Sequence, residues 1–125
     1  TSDKIETEQA LDLREWKDKI TRLFDQEDLY KNPNLTLTDL ASALNTNRNM
    51  VSKAINQEYQ MNFNDFVNKK RAEAVIQKLK NREHVQNTLL GLALDCGFNS
   101  KTTFNRAFKK HTGVTPKQYI DKNAL

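Results

Sequence analysis

The chain has 125 residues, 29% of them charged, with only three Gly and two Pro, a makeup that suits one soluble, all-α domain and excludes a sandwich or barrel, which needs many turn residues. A single Cys96 and two His, His84 and His111, allow no internal disulfide and no zinc spacing, so neither metal nor other cofactor is expected and a reducing compartment fits best. The net charge of +4 is unevenly spread: residues 1–46 hold 6 Lys/Arg against 10 Asp/Glu and residues 47–125 hold 14 against 6, a distribution that a phosphate-facing portion or a solvated basic face would each produce.

The chain starts at Thr1 rather than Met, which suggests a fragment of a longer protein. Its acidic, polar opening and the lack of any long apolar run argue against a signal peptide or membrane span. From about Ala10 to Leu29, Leu13, Trp16, Ile20, Leu23 and Phe24 recur at helical spacing, and Asn32 and Pro33 are expected to end this leader helix. Thr36 starts the next helix, with Asp39 placed to reach back as a capping box and Leu37, Leu40, Ala41 and Leu44 as the buried stripe. Asn45, Thr46 and Asn47 interrupt it, since Asn both tolerates the left-handed region and caps helices.

A helix from about Arg48 to Asn56 follows, with Val51, Ala54 and Ile55 inward, and the two short helices form a helix-turn-helix candidate. Residues 64–82 contain neither Gly nor Pro and carry Phe66, Val67, Ala74, Val75 and Leu79 as the stripe of a long linker helix. Thr88 opens a helix through Asp95, Gly97 supplies a positive-φ turn, Lys101 to His111 forms another helix that Gly113 stops, and Pro116 begins the last. Cys96 and Phe98 are expected in the core, and Trp16 with Phe24 is expected to anchor the leader.

The most informative feature is an internal repeat. At an offset of 52, Thr36, Leu37, Leu40 and Ala41 fall on identical Thr88, Leu89, Leu92 and Ala93, and Asn45 falls on Gly97. One extra residue in the second turn changes the offset to 53, pairing Val51 with Phe104, Lys53 with Arg106, Ala54 with Ala107, Ile55 with Phe108, Met61 with Val114 and Phe66 with Tyr119.

The turn Asp95-Cys96-Gly97-Phe98, the helix Phe104-x-Arg106-x-Phe108-Lys109-Lys110 and the ending Gly113-x-Thr115-Pro116-x-x-Tyr119 together resemble the second helix-turn-helix of the AraC/XylS family of bacterial transcription regulators. Residues 35–79 are similar to that family's first unit and linker helix, so the resemblance covers about Thr36 to Ile120. It implies an all-α fold of about seven helices: a leader over residues 1–35, then a DNA-binding domain over residues 36–125. Within that domain lie helix-turn-helix units at 36–56 and 88–111, a linker helix at 64–82 and a final helix at 116–123. The sequence departs from the pattern at Asn45 and Gln60, where Gly is common or matched by Gly113, and at Gly91, which stands where the first unit has Asp39.

In a helix-turn-helix the second helix enters the major groove. Base readout is therefore expected from Arg48, Asn49, Ser52 and Lys53 and from Lys101, Thr102, Asn105 and Arg106, since Arg and Lys reach guanine, Asn can grip adenine and Thr can meet a thymine methyl. Phosphate contacts are expected from Thr36, Thr88, Lys109, Lys110, His111 and Lys117. A rigid linker would require bent DNA or leave one unit loosely bound on a stiff site. The resemblance implies double-stranded DNA as partner, RNA polymerase as a further partner of an activator, and an upstream sensory or dimerising portion outside this chain. It also implies a cytoplasmic location, with a membrane sensor as one form the whole protein could take. An RNA or nonspecific nucleic-acid binder would carry exposed aromatic rows of the kind single strands need, and none is evident in this sequence. A protein-interaction module would place apolar residues on the outer faces of the recognition helices, and no constellation of carboxylate, thiol and imidazole suggests an enzyme.

Overall fold

The computed structural model describes residues 2–125, with side chains described from Arg14 onward. Among these residues it is all helical: α1 (Ser2–Gln26), α2 (Leu37–Ala43), α3 (Arg48–Tyr59), α4 (Phe63–Lys80), α5 (Leu89–Asp95), α6 (Lys101–Thr112) and α7 (Pro116–Lys122), with 3-10 turns at Leu29–Lys31 and Glu83–Val85. The expected pair of helix-turn-helix units, α2–α3 and α5–α6, with the long α4 between them in the chain, is present. No described helix is long and apolar enough to cross a membrane.

Side chains that satisfy free helix-start amides set the boundaries. Thr36 accepts from the Asp39 amide while the Asp39 carboxylate accepts from the Thr36 amide, the reciprocal box foreseen from the spacing. At α5 only half of this survives, because the Thr88 hydroxyl accepts from the Gly91 amide and glycine has nothing to return. Asn47 and Ser100 cap α3 and α6 in the same way, accepting from the amides of Met50 and Thr103. The repeat extends to the backbone: the Thr46 amide donates to the Ala41 carbonyl, and the matching Phe98 amide donates to Ala93.

Three expectations about helix ends change. The leader helix runs from Ser2 to Gln26 rather than from Ala10 to Leu29. It stops ahead of Pro33 because Asp28 turns to φ 52°, and Leu29 lies in the 3-10 turn that follows. The first recognition helix continues past Asn56 to Tyr59 and ends on Gln60 at φ 58°, where α6 ends on Gly113 at φ 84°. In α4, Ala72 is fully buried whereas Ala74 only borders the core. Of the leader's apolar stripe, Ile20 and Phe24 are fully buried, Trp16 and Leu23 are half-buried, and Leu13 lies outside the described side chains.

The chain divides into two compact units, residues 1–29 with 34–66, and residues 30–33 with 67–125. In the first, α3 packs on both α1 and α2. Its core holds Ile20, Phe24, Leu40, Ala41, Val51, Ala54, Ile55 and Phe66. The Phe66 ring stands edge-on to Phe24 at 5.0 Å between centroids and tilted to Tyr59 at 4.5 Å. The Tyr59 hydroxyl is 2.5 Å from the Thr21 hydroxyl and donates to the Lys17 carbonyl at 3.3 Å, tying the leader helix to the recognition helix.

The second unit buries Ala72, Val75 and Leu79 of α4 against Leu92, Ala93, Cys96, Phe98, Phe104 and Phe108. A row of rings runs Phe98, Phe104, Phe108, Tyr119, with successive centroids 5.4, 5.8 and 5.5 Å apart. The short segment Tyr30–Pro33, although it directly follows the leader, belongs to this unit. Its carbonyls at Tyr30 and Asn32 accept from Arg71 Nε and Nη2 at 2.7 and 2.8 Å, and Arg71 is itself buried, at 8% exposure. Desolvation lowers the Arg71 pKa from its ordinary value, yet a guanidinium stays charged at neutral pH.

Burial likewise pushes the Cys96 thiol up to about 11. Because the thiolate is the nucleophile, the folded chain should resist alkylation at pH 8, and iodoacetamide should label Cys96 at the rate at which the second unit opens. Labelling as fast as a free thiol in the native chain would contradict the burial.

Candidate nucleic-acid interface

Helix α3 presents Arg48, Asn49 and Lys53 as exposed side chains, and Ser52 beside them is half-buried. These positions, i, i+1, i+4 and i+5, share one face opposite Val51, Ala54 and Ile55, which are locked in the core. On α6 the matching Lys101, Thr102, Asn105 and Arg106 are all exposed, opposite Phe104 and Phe108. Within each unit the structure thus brings the expected base-reading residues onto one outward face of a helix held from behind by the core. Both faces offer hydrogen-bond donors and no large apolar group. Large exposed hydrophobic side chains among the described residues are instead Val85, Leu90 and Leu94, outside both recognition helices.

Lys109, Lys110 and His111 continue the α6 row toward its C-terminus, and Lys117 is exposed on α7. Lys109 and Lys110 suit the negative end of the α6 dipole as well as an external anion, whereas Lys117 stands in the first turn of α7, where the dipole gives it no such support. The two threonines differ. The Thr36 amide is engaged by the Asp39 carboxylate, which puts a negative charge at the start of α2, whereas Gly91 leaves the start of α5 without one.

The exposed Asn56 and Gln57 of α3 went unnoticed in the sequence because the helix was expected to end at Asn56. The repeat offset of 53, which already pairs Ile55 with Phe108 and Met61 with Val114, is the signal that finds them, since they fall on Lys109 and Lys110. At the end of this helix, burial and the carboxylates of Asp25, Asp18 and Glu58 raise the Tyr59 phenol above its ordinary value, while its hydrogen bond with Thr21 works in the opposite direction.

A family model described as a helix-turn-helix domain matches residues 40–122, which takes in most of both units. The chain belongs to the AraC-type helix-turn-helix family. Relatives of this AraC-type chain include an uncharacterized HTH-type transcriptional regulator of Staphylococcus aureus (strain COL), 30% identical over 102 residues, and the uncharacterized transcriptional regulatory protein YesN of Bacillus subtilis (strain 168), 33% identical over 92. The matches cover 82% and 73% of this chain but only 13% and 25% of those proteins. Among solved structures, the C-terminal domain of AraT, a response regulator from Geobacillus stearothermophilus, superposes with a TM-score of 0.67 at 28% identity, covering 88% of this chain and 84% of that one. A Listeria innocua protein shares the fold, with a TM-score of 0.68 at 22% identity over 85% of this chain and 94% of that one.

Proposed function

We propose that the chain is the sequence-specific, double-stranded-DNA-binding output part of a bacterial transcription regulator, with α3 and α6 in adjacent major grooves, about 34 Å apart on the duplex. The observation that carries this reading is the repeated pair of outward, donor-rich helix faces, Arg48, Asn49 and Lys53 on one and Lys101, Thr102, Asn105 and Arg106 on the other. Ser52, half-buried, contributes through its hydroxyl alone. Lys109, Lys110, His111 and Lys117 engage phosphates, with lesser contributions from Thr36 and Thr88, and these contacts fix register without reading sequence. An upstream sensory or dimerising portion supplies the signal, and RNA polymerase is the further partner if the whole protein activates transcription.

Selection of duplexes from a random library at stated salt should return a site spanning two successive major grooves. On that site Arg106→Ala should cost about 1 to 3 kcal/mol and relax the preference at one base pair, whereas Lys110→Ala should weaken all sequences alike and reduce the salt slope by about 1. Enrichment of no sequence, or an Arg106→Ala variant with unchanged affinity and preference, would refute the assignment.

A further inference from the structure

Each unit carries a helix-turn-helix, but the two differ in electrostatic character. The first, residues 1–29 with 34–66, holds 7 Lys/Arg against 12 Asp/Glu, a net −5; the second, residues 30–33 with 67–125, holds 13 against 4, a net +9. The contrast reaches the recognition helices themselves. Helix α3 carries Arg48 and Lys53 against Glu58, while α6 carries Lys101, Arg106, Lys109 and Lys110 with no acidic residue.

The difference falls at two structurally matched places. Where the third turn of α6 exposes Lys109 and Lys110, that of α3 exposes the neutral amides Asn56 and Gln57. Where the leading helix of the second unit has Gly91, that of the first has Asp39, whose carboxylate is held at the helix start by the Thr36 amide. The leader helix adds to this: packed on α3 through Thr21 and Tyr59, it brings Asp18 and Asp25 near enough to Tyr59 to disfavour its phenolate, even with Lys17 Nζ 5.6 Å from the ring. A phosphate approaching the α3 side meets amides where the α6 side offers ammonium groups, and a carboxylate where the second unit has glycine.

Neutral amides are nevertheless good readers. Asn and Gln can form paired hydrogen bonds with adenine N6 and N7, and Asn49 and Asn56, seven residues apart, lie two turns apart on one face of α3. Resting on the DNA-binding function proposed above, we infer that the two helices divide the work. Helix α6 supplies the salt-sensitive, phosphate-derived affinity. Helix α3 reads adenine through the row Asn49, Asn56 and Gln57 with little phosphate attraction of its own.

The test uses the full chain, its library-selected duplex and a scrambled duplex of the same composition, with binding measured across a salt series. Lys109→Asn/Lys110→Gln, which gives α6 the residues of α3, should flatten the slope of log affinity against log salt by about 2, at roughly 0.9 per phosphate released. It should weaken both duplexes alike and keep the ratio between them. Asn56→Ala/Gln57→Ala should leave the slope in place and cut the preference for A·T in the α3 half-site about fivefold or more, the loss of one paired amide contact. All four side chains are exposed, and unchanged thermal melting would establish that each variant is folded. An unchanged salt slope in the lysine variant, or an unchanged A·T preference in the amide variant, overturns the division of work. Wild-type chain that does not distinguish the two duplexes overturns the DNA-reading function itself, and the division with it.

Discussion

Replacing Gly97 by Ala should lower stability by about 3 to 5 kcal/mol, a fall in melting temperature of about 10 °C or more. Two costs combine. The residue sits at φ 103°, where a side chain meets its own backbone, at about 1 to 3 kcal/mol. A Cβ built there would also lie 2.0 Å from the Tyr30 carbonyl oxygen and 3.0 Å from the Lys31 Cα, both backbone atoms. A flexible side chain could rotate away from such an overlap, but backbone has to be displaced, which adds the penalty of an overfilled core. Urea melts of the two proteins at equal pH measure the difference. A Gly97→Ala variant within about 1 kcal/mol of wild type, inside the range of ordinary surface changes, would mean that the Tyr30–Lys31 backbone does not rest on this turn.

The second large effect is expected at Arg71. Arg71→Met keeps most of the side-chain volume but removes the donors to Tyr30 and Asn32, and a third, longer contact of Nη1 with Asn68 Oδ1 at 3.3 Å. Hydrogen bonds from charged donors contribute about 1.5 to 3 kcal/mol, and buried acceptors left without them add a desolvation penalty, so a loss of about 2 to 4 kcal/mol is expected. Arg71→Lys should recover little of it, because an ammonium lacks the planar fork that serves two carbonyls at once. Both substitutions act on the same backbone segment, so the Gly97→Ala/Arg71→Met double variant should lose less than the sum of the singles. Strict additivity would show the two residues to be independent of one another.

Much of the fold was legible because it is written in local chemistry. Thr36 with Asp39, Asn47 and Thr88 signal helix starts through oxygens that meet amides one turn away, Pro116 signals one through its fixed φ and missing N–H, and all four starts fall where the spacing placed them. The repeat supplied what local chemistry could not, pairing Leu40 with Leu92 and Ile55 with Phe108, all buried. What escaped depends on contacts far apart in sequence. Asn45 and Gly97 both take positive φ, but Gly97 has the Tyr30–Lys31 backbone packed over it, and nothing near residue 97 announces that residues 30 and 31 will lie there. Arg71 was passed over because a charge in the stripe of α4 reads as surface, although it lies in register with the buried Val67, Val75 and Leu79. On the recognition helices, exposure and donor chemistry follow directly from the periodicity. Half-burial of Ser52 does not, because it depends on what packs beside the helix.

The placement of Tyr30–Pro33 in the second unit bears on how this molecule could be cut or recombined. The chain leaves the first unit after Leu29, returns to it at Asn34 and leaves again after Phe66. A clone beginning at Val67 would carry the whole second helix-turn-helix and still lack the peptide that occupies the donors of Arg71 and covers Gly97. Exchanging the second half for that of a relative would join one protein's Tyr30 carbonyl to another's guanidinium. Such chimaeras therefore need a second graft, at residues 30–33, and the two helix-turn-helix halves are less interchangeable as cassettes than their repeated sequence suggests.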